Sequence, residues 1–269
     1  MGLFIGDALG AAVEFQQPGA FEPVTGYRRG PVHDIAAGDW TDDGSMALAL
    51  ADSLIKLGRL NRIDTFNRWR DWLYVGAYSP AKRCFDIGTQ THAALRHFPG
   101  EIETDTNGNG GIMRLSPVAT FSAGEVTATV ILGGVQAAWT HPGPETRKSA
   151  RELSRILAQL IKSGSSQNLK FAKSKFRAGF VPNNSGWVVS TLQSALYAVV
   201  TTGDFRSAVL KAVNLGGDAD TIGAVAGQIA GALYGYQAIP TELISGLSWS
   251  AQLLDTAGAL YRVKHKGEE

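Results

Sequence analysis

Glycine recurs at every fourth position in one apolar stretch near the end of the chain. The four glycines are Gly223, Gly227, Gly231 and Gly235. Residues four apart lie on the same face of an α-helix, so this face would carry hydrogen atoms in place of side chains. Such a face lets a second helix approach closely, as also happens in membrane helices. Because the stretch is short and contains the polar Gln228, we predict a buried central helix of a soluble protein, with another helix packed on its glycines.

The rest of the pattern is also helical. Apolar residues recur at helical spacing in most segments between the loops, for example in residues 145–161, and the alternation typical of strands is nearly absent. A chain of 269 residues is long for one domain but not too long for it. We therefore predict an all-α fold in a single domain, residues 1–269.

Four local predictions concern helix ends and loops. Residues 1–15 should form a short first helix with Glu14 at its end, and Asp64 should cap a later helix. Residues 16–40 are rich in proline and glycine and should form a long loop, a kind of segment that often serves as a lid. The polar, basic residues 164–175 should form a solvated loop.

Composition excludes several classes of partner. The net charge is +1, so no broad attraction to nucleic acid or to a membrane surface is expected. The single cysteine, Cys84, excludes an internal disulfide and a multi-cysteine metal site, and it fits a reducing, cytoplasmic location. From the first residues we expect no signal peptide, and no apolar run reaches membrane length. We expect neither membrane nor nucleic-acid partners.

Two adjacent carboxylates stand at the start of a predicted helix. Thr41, Asp42 and Asp43 directly precede residues 45–57, whose apolar positions have near-helical spacing. Capping is the simple explanation, because Thr and Asp side chains accept hydrogen bonds from the free amides of a helix start and the helix dipole favours negative charge there. On this stretch alone, capping and a functional role are equally good explanations.

A second acidic helix start has the same composition as the first. Asp218, Asp220 and Thr221 open the glycine-bearing helix, so each end of the chain supplies two carboxylates and one hydroxyl. Each set holds more charge than one cap requires. Brought together they offer only hard oxygen ligands, which suit Mg²⁺ or Mn²⁺, and a pair of ions more than one, but suit zinc poorly.

A glycine-rich loop precedes another apolar helix. Residues 107–114 contain three glycines around an asparagine, an arrangement whose amides can bind a phosphate. The same residues are also common in ordinary turns, and the Lys-Ser/Thr ending of a Walker A loop is missing. His141 stands before a proline at a helix end, where a capping or packing role is more common than catalysis.

Five motifs in this order resemble those of a known family. They are Gly6-Asp7-Ala8-Leu9-Gly10 with Glu14, Trp40-Thr41-Asp42-Asp43, Gly108-Asn109-Gly110-Gly111-Ile112-Met113-Arg114, Thr140-His141-Pro142 and Gly217-Asp218-Ala219-Asp220-Thr221-Ile222-Gly223. Together they resemble the ADP-ribosylglycohydrolases, in particular the bacterial type that activates dinitrogenase reductase. The resemblance implies a compact, orthogonal multi-helix domain with two Mg²⁺ or Mn²⁺ ions in a cleft, where the family removes ADP-ribose from modified proteins.

The resemblance also implies roles for individual residues. Six residues match the family's metal ligands: Thr41, Asp42, Asp43, Asp218, Asp220 and Thr221. Asp42 or Asp43 would act as general base, and Glu14 would act as an acid or a gate near the reacting carbon. The loop that would hold the diphosphate consists of Asn107, Gly108, Asn109, Gly110 and Gly111, and His141 would contact the ligand.

The expected reaction is release of ADP-ribose from a modified protein, with ADP-ribose as the product ligand. The first motif favours an arginine linkage. A serine linkage, poly-ADP-ribose, a phosphatase that uses the same two ions and a non-enzymatic ADP-ribose binder on the same fold stay open as alternatives.

Overall fold

Helices make up the regular structure of this computed structural model, which describes residues 1–102, 105–176 and 180–265. The longer α-helices are α1 Gly2–Gly10, α2 Asp42–Leu57, α3 Arg62–Val75, α4 Thr89–His97, α6 Val126–Ala138, α7 Pro144–Ser163, α9 Val188–Val200, α10 Phe205–Val213, α11 Ala219–Tyr234 and α13 Ser250–His265. The short ones are α5 Ser116–Phe121, α8 Lys170–Lys175 and α12 Thr241–Ser245, with 3₁₀ turns at Asn109–Gly111, Ser166–Leu169 and Tyr236–Ala238. Within the described ranges the extended pairing is limited to two isolated bridges, Gly30 with Ile35 and Gly108 with Trp187. The all-α prediction is confirmed.

The predicted central helix is α11, and the helix packed on its glycines is α1. A Cβ atom added to Gly223 would lie 2.4 Å from the carbonyl oxygen of Gly6, and one added to Gly227 would lie 2.0 Å from that of Gly2. The two helices are antiparallel, because Gly2 faces Gly227 whereas the later Gly6 faces the earlier Gly223. Close backbone contact at these positions therefore requires glycine. It also brings the end of α1 beside the start of α11, where the second acidic cluster lies.

Helix α2 crosses the interior of the domain. Its first twelve residues are buried except Asp52, and Met46 packs in an aromatic cluster with Phe66, Trp69 and Trp72. The indole Nε1 of Trp69 donates to the carbonyl of Met46 at 3.0 Å. Burial of α2 on all sides fixes the position of its N-terminus, which carries the first acidic cluster.

The structure corrects three local predictions. Helix α1 ends at Gly10, so Glu14 lies in the following turns and not in a helix. Asn61, not Asp64, caps α3, because its side chain accepts the N–H of Asp64 at 2.9 Å. Residues 164–175 form a 3₁₀ turn and α8, because two apolar residues of this polar stretch, Leu169 and Ala172, are buried against the core.

Among the described helices, none combines the length and the apolar character that a bilayer crossing requires.

Candidate active site

The first acidic helix start is held by a residue of another helix. Asp7 of α1 is fully buried, and its carboxylate accepts hydrogen bonds from the backbone N–H groups of Thr41 at 2.9 Å and Gly44 at 2.7 Å. The side chain of Thr41, the N-cap residue, makes no capping bond. Since Asp7 satisfies these amides of the helix start, Asp42 and Asp43 are not needed as caps.

The two acidic helix starts meet, as their composition predicts. The Thr41 hydroxyl donates to Asp220 Oδ2 at 3.1 Å, and the Thr221 hydroxyl donates to Asp43 Oδ1 at 3.4 Å. These contacts join residues almost 180 positions apart in the chain. Both are buried, so the carboxylates share one poorly hydrated space.

Some carboxylate oxygens of this space are left without hydrogen-bond partners within the described ranges. Asp43 Oδ2 and Asp220 Oδ1 are buried and have no hydrogen-bond partner among the described residues. Burial, followed by the charges of neighbouring carboxylates, raises the pKa of Asp42, Asp43 and Asp220 well above the ordinary range. Burial also raises the pKa of Asp218. Unpaired oxygens at close range are the donor set that hard divalent cations require, so the residues fit Mg²⁺ or Mn²⁺.

Three further residues complete the acidic centre. Carboxylate oxygens of Asp42, Asp86 and Asp220 lie within 4.8 Å of one another. Glu14 is buried, and its pKa is raised to about 10 by burial and then by the charges of Asp86 and Asp218. His33 Nε2 lies 3.0 Å from Glu14 Oε2 and 3.3 Å from Asp86 Oδ1.

Sequence reasoning did not assign roles to Asp86 and His33. Both lie in irregular segments, where no periodicity indicates which way a side chain points. Asp86 has a φ of 58°, in the left-handed region that is uncommon for residues other than glycine, and this signal is visible only in the structure. His33 comes from the long loop of residues 16–40, so that loop does reach the centre.

The glycine-rich loop is attached to the acidic centre through Asn109. Its Nδ2 donates to Asp218 Oδ2 at 2.7 Å and to Thr191 Oγ1 at 3.0 Å, while its backbone N–H donates to the carbonyl of Gly186 at 3.1 Å. Asn107 has a different role, since its Oδ1 accepts the N–H groups of Glu145 and Thr146 at the start of α7.

His141 lies against the glycines of this loop. A Cβ atom on Gly110 would come within 2.5 Å of the imidazole, and one on Gly108 within 3.2 Å. Gly111 instead packs against Ala137 and Thr146. The absence of side chains at Gly108 and Gly110 therefore makes room for the ring, which is itself buried.

A buried chain of hydrogen bonds leads from Arg114 to His141. Arg114 is fully buried, lies over the Trp69 ring at 4.4 Å and donates from Nη2 to Thr140 Oγ1 at 2.5 Å. Thr140 Oγ1 lies 2.9 Å from His141 Nδ1. Arginine only donates, so the Thr140 proton is free to point at Nδ1. Burial and the nearby Arg114 charge lower the pKa of His141 to about 3, which favours a neutral ring. A Thr140 proton directed at Nδ1 would leave the ring proton on Nε2.

These parts line one cavity of about 160 Å³. Its wall includes residues of each predicted group: Glu14, Asp42, Asn109, Gly110, His141, Asp218 and Thr221. Asp86 and the exposed Phe15 also line it. The remaining predicted ligands, Thr41, Asp43 and Asp220, do not line this cavity. Asp43 is joined to its wall by the hydrogen bond from Thr221, and Thr41 and Asp220 are joined to each other.

Known proteins are similar to this chain over nearly its whole length. A sequence profile of the ADP-ribosylglycohydrolase family matches residues 1–269. ADP-ribosylarginine hydrolase Tri1 of Pseudomonas putida (strain GB-1) is 34% identical over 283 residues, which cover 97% of this chain and 76% of that protein. ADP-ribosyl-[dinitrogen reductase] glycohydrolase of Rhodospirillum rubrum is 32% identical over 270 residues, covering 94% of this chain and 90% of that one.

Solved structures agree. A chain of an ADP-ribosylglycohydrolase-related protein complex superimposes with a TM-score of 0.83 at 32% identity, covering 97% of this chain and 95% of that chain. With its whole length matched in both sequence and fold, the chain belongs to the ADP-ribosylglycohydrolase family and is a glycosidase-type hydrolase.

Proposed function

We propose that this protein is a metal-dependent hydrolase that releases ADP-ribose from arginine side chains of modified proteins. The observation that carries the proposal is the convergence of the two acidic helix starts on one buried space, with Asp43 Oδ2 and Asp220 Oδ1 unpaired. The names of the Tri1 and dinitrogen reductase relatives support the choice of substrate.

Two cations would be held by the hydroxyl and carboxylate oxygens of six residues: Thr41, Asp42, Asp43, Asp218, Asp220 and Thr221. Bound there, Mg²⁺ or Mn²⁺ would orient the vicinal hydroxyls of the ribose and make a water molecule more acidic. The hydrogen bond from Asn109 to Asp218 orients that carboxylate before any ion binds, as residues hydrogen-bonded to metal ligands do in other sites.

The protein's own groups account for the proton transfers. Hydrolysis breaks the bond between ribose C1″ and a guanidinium nitrogen and forms a bond from C1″ to a water oxygen, through an oxocarbenium-like state. Asp42 or Asp43 would accept the proton of the water. Glu14 lines the same cavity and would donate to, or position, the leaving group. From a protonated linkage, guanidine leaves in its neutral form.

The other wall of the cavity would bind the rest of ADP-ribose. The glycines at 108 and 110 leave the backbone open beside His141, whose Nε2–H is available to donate to a phosphate oxygen. At the acidic mouth formed by Glu14 and Asp86, the Asp86 carboxylate favours a cationic linkage over a neutral one, because opposite charges attract strongly in a poorly hydrated site. This charge is our structural reason for preferring arginine to serine.

Mass-spectrometric detection of free ADP-ribose tests the proposal. The Mg²⁺-loaded protein is incubated separately with an arginine-linked peptide, a serine-linked peptide and a simple phosphate ester. We expect release of ADP-ribose from the arginine-linked peptide at the highest rate. Faster release from the serine-linked peptide would overturn the linkage, and phosphate release alone would overturn the reaction.

A further inference from the structure

A histidine and two carboxylates converge at the mouth of the cavity, outside the six oxygen ligands proposed above. His33 Nε2 lies 3.0 Å from Glu14 Oε2 and 3.3 Å from Asp86 Oδ1. Donor atoms from all three side chains lie within 4.8 Å of one another. The group therefore offers one nitrogen and two oxygen donors close to one another.

The short distances within this group do not correspond to well-oriented hydrogen bonds of His33 Nε2. His33 Nε2 and Glu14 Oε2 are both buried, and neither has a hydrogen-bond partner in the described part of the chain. Two ligands on one ion, with bonds of about 2.0–2.2 Å and angles between 90° and 109°, lie roughly 3.0–3.5 Å apart. The distances from His33 Nε2 to Glu14 Oε2 and to Asp86 Oδ1 have the size that a shared cation would produce. The Glu14 side chain is almost completely buried, and its Oε2 has no hydrogen-bond partner among the described residues.

The imidazole is held in place from several sides. Residues 30–35 form a closed turn, in which Gly30 and Ile35 exchange backbone hydrogen bonds of 3.1 and 3.2 Å. The guanidinium of Arg83 donates to the carbonyl of His33, and the ring packs 5.2 Å from Phe85 and 6.3 Å from Phe15. The long loop therefore presents this histidine to the acidic mouth in one orientation.

We propose that Glu14, His33 and Asp86 bind a further divalent cation of the borderline class, Zn²⁺. An imidazole ligand selects Zn²⁺ over Mg²⁺, whereas an all-oxygen set has the opposite preference. The site shares none of the six proposed Mg²⁺ ligands. Asp86 also lies close to Asp42 and Asp220, so it would be the residue nearest to both metal sites. The competing explanation is an ion pair between protonated His33 and the two carboxylates, without a metal.

Occupation of this site would regulate hydrolysis. A Zn²⁺ ion there engages the Glu14 and Asp86 carboxylates that face the cavity, so neither is available to the substrate or its leaving group. Zn²⁺ should then inhibit the Mg²⁺-loaded enzyme. This last step rests on the proposed function, whereas Zn²⁺ binding does not.

Zn²⁺ binding is measured by isothermal titration of the Mg²⁺-loaded full chain, with Mg²⁺ in large excess and no substrate present. We expect one Zn²⁺ per chain in the unaltered protein. His33→Gln should weaken its binding by at least about 100-fold, because even the loss of a second-shell partner costs ~10–100-fold in metal affinity. His97→Gln, which alters an exposed histidine at the end of α4, is the matched control and should bind Zn²⁺ normally.

Two further measurements keep the test decisive. Imidazole ¹⁵N NMR detects binding in the unaltered protein itself, where Zn²⁺ should shift the Nε2 resonance of a single histidine. That resonance is assigned to His33 because it is missing from the spectrum of His33→Gln. The ratio of ADP-ribose release rates with and without Zn²⁺ then tests inhibition. In the His33→Gln variant, Zn²⁺ should no longer change this rate.

If Zn²⁺ does not bind, or if it binds equally well to the unaltered protein and to His33→Gln, the ion pair is the correct explanation and the proposed site is overturned. Absence of hydrolysis from every substrate would instead overturn the proposed function and leave the binding result intact.

Discussion

Asp7 Oδ2 accepts the backbone N–H of Gly44 at 2.7 Å, so helix α2 is capped by a residue of helix α1. This bond and its companion to Thr41 distinguish the two explanations that the acidic helix start allowed. Because the cap is supplied from elsewhere, Asp42 and Asp43 project their charges into a shared space with the second cluster. The same bonds connect the packing of α1 on α11 to the position of the candidate active site.

Packing of α1 on α11 should depend on the individual glycines. A Cβ atom on Gly223 would collide with the Gly6 backbone at 2.4 Å, whereas one on Gly231 would meet its nearest atom at 3.7 Å. We expect Gly223→Ala to lower the free energy of unfolding by about 2–3 kcal/mol or more. Gly231→Ala should be neutral or stabilise by up to about 1 kcal/mol, because alanine is the better helix former. Urea denaturation followed by circular dichroism measures both, and equal losses would contradict this packing.

Removal of the cations should abolish hydrolysis. We expect chelator to stop ADP-ribose release and Mg²⁺ or Mn²⁺ to restore it. Asp43→Asn and Asp220→Asn each remove a charged ligand and should lower the rate by at least about 100-fold. The control is Asp34→Asn, which alters an exposed carboxylate paired with Arg29 and should retain full activity. Full activity in excess chelator would contradict the metal-dependent mechanism.

Stability of the metal-free protein should fall as pH rises. Burial raises the pKa of Asp7 from 3.8 to about 7 and the pKa of Glu14 from 4.5 to about 10. Above their ordinary pKa values, the unfolded chain releases protons that the folded protein retains. The stability that these groups contribute is therefore complete below the unfolded pKa values and is lost as pH rises through the folded ones.

Urea denaturation of the chelator-treated protein at several pH values between 5 and 8 checks this dependence. The free energy of unfolding should decrease steadily across the series. Adding Mg²⁺ should raise it most at the highest pH, because the cations bind the ionised carboxylates of the folded state. A metal-free protein that becomes more stable with rising pH would contradict the assigned shifts.

The tautomer of His141 should depend on the Thr140 hydroxyl. Thr140→Val removes the hydroxyl but keeps the shape, so imidazole ¹⁵N NMR should report a loss of the Nε2–H form. We expect KM for the ADP-ribosylated substrate to rise about tenfold with a smaller change in kcat, since one hydrogen bond to a charged phosphate is lost. Thr140→Ser retains the hydroxyl and should behave like the unaltered protein. An unchanged NMR spectrum in Thr140→Val would show that the relay does not determine the tautomer.

The linkage should determine how much the reaction needs Glu14. A guanidine leaves in its neutral form from a protonated linkage, whereas a serine oxygen must gain a proton as it departs. We therefore expect Glu14→Gln to lower cleavage of an arginine-linked peptide only moderately and to lower any serine-linked activity much more. Free ADP-ribose measured from both peptides under matched conditions tests this. A greater loss on the arginine-linked peptide would argue against neutral guanidine as the leaving group.

The sequence by itself determined the features that depend on local pattern. Glycines four apart predict a close helix pair because helical geometry places them on one face. Two acidic helix starts predict a cation site because each holds more charge than one cap needs, and the two clusters do lie together. Residues 164–175 show the limit of local pattern, since a polar segment with few apolar residues formed helix when those residues reached the core.

Only the tertiary structure showed which residues outside these patterns cap the helix and complete the acidic centre. Asp7 caps a helix 34 residues away, and His33 and Asp86 reach the acidic centre from irregular segments. His141 is connected to the buried Arg114 through the Thr140 hydroxyl. No periodic sequence pattern predicts these contacts, because each one forms between two separate segments that meet only after the core has packed. Side-chain direction in helices can be read from local spacing, but contacts between loops and helix ends arise only when the whole domain is folded.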